Sequence, residues 1–202
     1  ELRQSTIKDW LSCPLMFRYR HVMQLAPSYR SLAAIHGSAL HLCIHRLHFE
    51  GFDLDLGLLY ARALEEVLES ESHIPIRWKK GVEEDRLIML THAAEILKGY
   101  VNHEQNHTST LMYSEVKFRL RVNGMLLTGT IDQVRRNLDS SLELIDLKSG
   151  MQRPMKHALQ RDWQLNLYAY ALRYGEIFIH SSWVRIRMKV HRTSIYFLRA
   201  HE

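Results

Sequence analysis

The spacing of apolar and polar positions divides the chain into a helical first half and a strand-rich second half. In residues 1–50, Ser5 or Thr6 can cap a short helix through Leu11, and Pro14 suits the first turn of a second. A stronger helix is predicted from about Ile35 to Phe49, stopping at Gly51. Residues 56–70 form an amphipathic helix, residues 71–80 with Pro75 read as a loop, and a long helix covers 82–105. The period then shortens. Met112–Val122 and Met125–Val134 are strand-like and flank Asn123-Gly124, the strongest short-range hairpin signal, because both residues tolerate positive φ. Leu142–Lys148 is a third strand, 158–174 a helix closed by Gly175, and two more strands fall near 181–190 and 193–199. This order predicts an α/β or α+β domain with a mixed sheet, residues 1–110 mainly helical and 111–202 the sheet core.

Composition narrows the picture. The chain has 202 residues, enough for one domain with a real core. No apolar run reaches the roughly 20 residues of a membrane helix, so no membrane role is expected. The 2 cysteines, Cys13 and Cys43, exclude a disulfide framework and a four-thiolate metal site, which fits a reducing, cytoplasmic setting. The first residue is Glu1 and no signal pattern follows, so a trimmed start is expected. The net charge of +5 is uneven: the first 50 residues and the last 52 are basic, and the stretch between them is acidic. Basic flanks around an acidic centre suit a polyanion held over a cation site.

The hairpin gives that centre a geometry. A two-residue turn at Asn123-Gly124 pairs Val122 with Met125 and sets Glu115 opposite Asp132. Val116, Phe118, Leu120, Leu127 and Ile131 then share an apolar face, while Glu115, Lys117, Arg119, Arg121, Thr128, Thr130 and Asp132 share a polar one. Two opposed carboxylates repel unless a cation or water separates them. On the third strand, Asp146 and Lys148 share a face. They can be a surface ion pair, yet an acid in an otherwise apolar strand is costly unless paired or metal-bound. Beside Asp132, Asp146 offers oxygen ligands to a hard divalent cation, with a lysine in reach of the same phosphate.

The run Gly129-Thr-Ile-Asp132, then Asp146-Leu-Lys148, then Gln164-Leu-Asn-Leu-Tyr168, resembles the PD-(D/E)XK nuclease superfamily, and most of all its RecB-like exonuclease branch. Gly37-Ser-Ala-Leu-His41 resembles that branch's histidine motif, and Ser12-Cys13-Pro14 with Phe17 and Tyr19 its opening helix. The resemblance implies a restriction-endonuclease-like core and Mg²⁺- or Mn²⁺-dependent hydrolysis of phosphodiester bonds in DNA. It also implies an exonuclease of DNA repair, recombination or mobile-element processing, with helicase or other recombination proteins as partners. By the same resemblance, His41, Asp132, Asp146 and the Leu147 carbonyl would hold the metal. Lys148 would stabilise charge on the scissile phosphate, Glu115 would be an outer-shell or second-metal acid, and Gln164 and Tyr168 would line the site or contact DNA. No cysteine follows Cys43, so the iron–sulfur cluster of one subset is not expected, and Cys13 reads as a small buried hydrophobe.

Two rival readings stand beside the enzyme: a non-catalytic nucleic-acid-binding domain of the same fold, and an interaction scaffold in a larger machine. His41, His45 and His48 also share a helix face, where an H-x-x-x-H pair could bind zinc, although no zincin glutamate follows His41. Arg185, Arg187 and Lys189 alternate on a predicted strand and could follow a phosphate backbone or face solvent.

Overall fold

The computed structural model describes residues 1–70, 72–150 and 162–199. They divide into two compact units. The sheet unit takes Glu1–Ala26, Thr108–Asp146 and residues 162–195; the helical unit takes Pro27–His107 with residues 147–150 and 196–199.

The sheet unit grows from the hairpin. Strands β4 (Thr110–Val122) and β5 (Met125–Arg136) pair antiparallel about Asn123 and Gly124, both at positive φ, with Val122 opposite Met125 as the turn dictates. β6 (Leu142–Lys148) pairs antiparallel with β5 through Gln133–Ile145 and Val134–Leu144. β1 (Leu2–Arg3) runs parallel to β5, which makes the sheet mixed. On the other side of β4 lie β7 (Glu176–Ile179) and β8 (Ser182–Val184), and the order β8-β7-β4-β5-β6-β9 ends with β9 (Arg192–Phe197). The expected α/β class with a mixed sheet is therefore correct.

Helix α6 (Trp163–Tyr174) packs on this sheet, with Leu165, Tyr168, Ala171 and Leu172 buried against Val116, Phe118, Leu120, Ile131 and Ile177. The Asp162 side chain caps it by accepting from the N–H groups of Gln164 and Leu165. The first part of the helix predicted over 158–174 lies outside the described residues. At the N-terminus, α1 (Gln4–Ser12) starts after Arg3 with no side-chain cap, instead of at Ser5 or Thr6. Cys13 is half-buried and not a simple core residue: its Sγ accepts from Met16 N–H ahead of α2 (Pro14–Phe17).

The strand predicted over 181–190 divides. The turn between β7 and β8 is His180-Ser181, both at positive φ, a hairpin geometry that those residue types do not announce. β7 was consequently invisible in the sequence pattern. After Val184 the chain stays irregular up to β9.

The helical unit holds α3 (Leu32–Glu50), α4 (Leu56–Ser70) and α5 (Val82–Gln105). α3 begins earlier than expected because Ser31 Oγ accepts from Ala34 N–H, and it ends at Gly51 as expected. The predicted loop 71–80 contains a short strand β3 (Ile76–Arg77), parallel to β2 (Arg30–Ser31). Leu40, Ile44 and Leu47 of α3, Tyr60 and Ala63 of α4, and Ala93, Leu97 and Tyr100 of α5 supply a dry core. His36 lies in it at 6% exposure, its Nδ1 2.6 Å from the Tyr60 hydroxyl. The histidines of α3 diverge: His45 stacks on Phe49, and His48 Nε2 meets the Tyr100 hydroxyl at 2.7 Å and Glu104 at 3.7 Å. Among the described residues, neither His45 nor His48 belongs to a three-ligand cluster.

Burial, aided by the charge of Arg199 and by His92, depresses the His36 pKa to about 4. The unfolded chain takes up this proton near pH 6.5 and the folded chain only near pH 4. The stabilisation is complete above pH 6.5 and is lost as the pH falls towards 4. The loss should be roughly 3 kcal/mol. Urea unfolding of wild type and His36→Gln at pH 7 and pH 4.5 measures it; equal pH dependence in both would mean that folding does not shift the His36 pKa.

Candidate active site

The hairpin places two acids side by side. Oxygens of Glu115 and Asp132 lie within 4.8 Å of each other. The expected direct pairing of these two residues is interrupted, however. Ser114–Gln133 and Val116–Ile131 are ladder partners, but Glu115 between them sits at φ 51°, in the left-handed region. A glutamate there carries strain of about 1–3 kcal/mol. The reversal also resets the pleat. Val116 and Ile131 on one side, and Tyr113 and Val134 on the other, pack on the same core. Strict alternation would send the two sets to opposite faces. The apolar and polar faces read from the sequence therefore hold only from the turn as far as Glu115.

Asp132 and Asp146 each lie one residue beyond the Gln133–Ile145 pair, on adjacent strands. They are 8% and 2% exposed, so both carboxylates are nearly removed from water. Helix α6 supplies the compensation. Gln164 Nε2 donates to Asp146 Oδ1 at 2.6 Å and to the Tyr168 hydroxyl at 2.9 Å. The Tyr168 O–H in turn donates to Gln4 Oε1 at 2.7 Å. The spacing of Gln164 and Tyr168 puts both on one helix face, as expected. Burial first, then the charges of Asp132 and Asp146, push the Tyr168 pKa upward, so its hydroxyl stays protonated and donates to Gln4.

Gln4 was not singled out in the sequence. Its only signal there is an amide at the start of the opening helix, and the bond it makes spans 164 residues. Gly129 explains the room it needs. Gly129 is the ladder partner of Phe118, and a Cβ added at Gly129 would fall 2.6 Å from Phe118 Cε1 and 3.1 Å from Gln4 Oε1. The Phe118 ring is fully buried and meets Tyr168 edge-on at a centroid distance of 5.7 Å.

In the helical unit, His41 on α3 points Nε2 at the Leu147 carbonyl oxygen, 3.1 Å away. Lys148, half-buried at the end of β6, accepts from Leu198 N–H through its own carbonyl at 3.0 Å. Gly37, one turn before His41, lies so near Ser149 that a Cβ there would come within 2.9 Å of Ser149 Oγ.

The donor chemistry suits a hard divalent cation. Carboxylate, carbonyl and water oxygens are the ligands such ions prefer.

Gly129→Ala should destabilise the sheet unit by about 1–3 kcal/mol, because the added methyl meets a ring with no space to yield. Urea or thermal unfolding against wild type reads this directly. An unchanged midpoint would show that Phe118 can shift.

No curated protein matches the chain. A solved structure described as the crystal structure of SSO0001 is similar at 16% identity, over 84% of this chain and 69% of that one. Its TM-score of 0.27 is too low to carry an argument. The model of the PD-(D/E)XK nuclease superfamily matches residues 1–193, and the mixed sheet with its helices agrees with the restriction-endonuclease-like fold of that family. With nearly its whole length matched and paired acids on adjacent strands, this chain belongs to the PD-(D/E)XK nuclease superfamily.

Proposed function

We propose that the chain is a Mg²⁺- or Mn²⁺-dependent deoxyribonuclease of the RecB-like branch, acting as an exonuclease on DNA ends. The observation that carries this reading is the buried pair Asp132 and Asp146, with Gln164 bonded to Asp146 and Glu115 beside Asp132. The order of motifs from Ser12-Cys13-Pro14 to Tyr168 supports the branch. Its setting is cytoplasmic DNA repair, recombination or mobile-element processing, alongside helicase or other recombination proteins.

Asp132, Asp146, His41 and the Leu147 carbonyl would hold the cation, and Glu115 would serve as an outer or second-metal acid. When bound, the cation polarises the scissile phosphate and makes the attacking water more acidic. Gln164 donates to Asp146 Oδ1 and so fixes the direction in which that carboxylate faces. Tyr168, neutral and locked between Gln164 and Gln4, keeps that amide turned towards Asp146. Lys148 stabilises the charge that develops on the phosphate oxygens.

Calorimetric titration with Mn²⁺ should show binding that Asp132→Asn greatly weakens; equal binding by the variant removes Asp132 from the metal site. Lys148→Ala should slow single-turnover cleavage by about 10²–10³. Its DNA affinity should change little, since one phosphate contact among several is lost. End-labelled linear DNA should be degraded with Mg²⁺ or Mn²⁺ while closed circles survive. Binding without turnover would leave a non-catalytic domain of the same fold.

A further inference from the structure

We propose that the C-terminal end of α6, with the adjoining β4–β7 edge and the segment 185–190, forms a groove that binds single-stranded nucleic acid. This deepens the nuclease reading, on which it rests, by naming the strandedness of the substrate. Two cavities share Tyr174 and Arg185. One of about 290 Å³ is lined also by Arg119, Arg121 and Glu176, and one of about 380 Å³ by Arg173 and Arg187. Five arginines thus surround one exposed tyrosine.

The segment after β8 is built to present charge. Ile186, Met188 and Val190 pack on the sheet-unit core, while Arg185, Arg187 and Lys189 between them are exposed. Met188 N–H donates at 2.9 Å to the carbonyl of Leu172, in the last turn of α6. That carbonyl has no partner within its own helix, so the bond pins the segment to the helix end. Arg187 sits at φ 49°, a left-handed conformation unusual for a long side chain.

The charge is available for a ligand. Arg121, Arg173, Arg185 and Arg187 are exposed and have no carboxylate partner among the described residues. The acid in the groove, Glu176, is neutralised by Arg119 at 2.6 Å, and that guanidinium also lies 4.6 Å from the Trp183 ring. The surface is therefore net cationic and suits a polyanion.

The aromatic residues select among polyanions. Tyr170 and Tyr174 are 50% and 57% exposed, and their rings adjoin at 4.6 Å. Exposed rings beside arginines offer stacking faces to unpaired bases, which a duplex hides. Tyr174 stands about 15 Å along α6 from Gln164, so one strand can reach both the groove and the acids.

The test is fluorescence anisotropy of a labelled oligo-thymidylate and of a duplex of equal length, in EDTA so that nothing is cut. Arg185→Glu/Arg187→Glu should weaken single-strand binding roughly tenfold or more and reduce the log–log salt slope by about 1.4. Tyr174→Ala should weaken it roughly five- to a hundredfold, with a smaller effect on the duplex. Wild-type affinity in these variants, or tighter binding of duplex than of single strand, overturns the groove. Displacement of the strand by poly-glutamate as readily as by unlabelled oligonucleotide overturns it in favour of acidic protein segments. Cleavage of bis(p-nitrophenyl) phosphate by the wild-type chain with Mn²⁺ separates the two failures, because it reports the hydrolytic site with no strand to bind.

Discussion

Asp132 and Asp146 sit close together with almost no access to water, and the sheet unit is arranged around that burden. Ionised carboxylates in such a place are unfavourable unless hydrogen bonds or cations compensate them. Gln164 spends one N–H on Asp146 and the other on Tyr168, and the Tyr168 O–H donates in turn to Gln4. Every donor in this chain is directed, so the amide cannot turn its oxygen towards the acid. Burial, and after it the two carboxylate charges, keeps Tyr168 protonated. The network and the acids stabilise each other's states.

The same constraint accounts for the break in β4. A regular strand at Glu115 would continue the alternation and would carry Tyr113 and Val134 away from the core that Val116 and Ile131 occupy. The left-handed backbone at Glu115 changes the phase, so apolar residues on both sides of the acid reach one core. Irregularities of this kind are frequent beside active sites, where they re-aim a side chain. Burial of Tyr113, Val116, Ile131 and Val134 offsets the strain.

Helix α6 is used at both ends. Its first turns carry Gln164 and Tyr168 to the acids, and its last turn ends among Arg173, Tyr174 and the docked segment that follows β8. Leu165, Tyr168, Ala171 and Leu172 form the stripe that fixes it to the sheet. One rigid element therefore spaces hydrolytic chemistry from a cationic surface by a set number of helical turns.

The amino-acid sequence was sufficient wherever the cause is local. Asn123-Gly124 set the turn and thereby the Val122–Met125 register. Helical periodicity located α4 and α5, and the four-residue spacing of Gln164 and Tyr168 placed both on one face of α6, where they bond to each other. Local signals failed at β7, because His180-Ser181 makes its turn without Asn or Gly, and at 185–190, where Met188 bonds to a helix end instead of a neighbouring strand. The reversal at Glu115 and the reach of Gln4 to Tyr168 were decided only by the tertiary structure. Each depends on partners far away in the chain, and no pattern of nearby residues encodes the energy of such a contact.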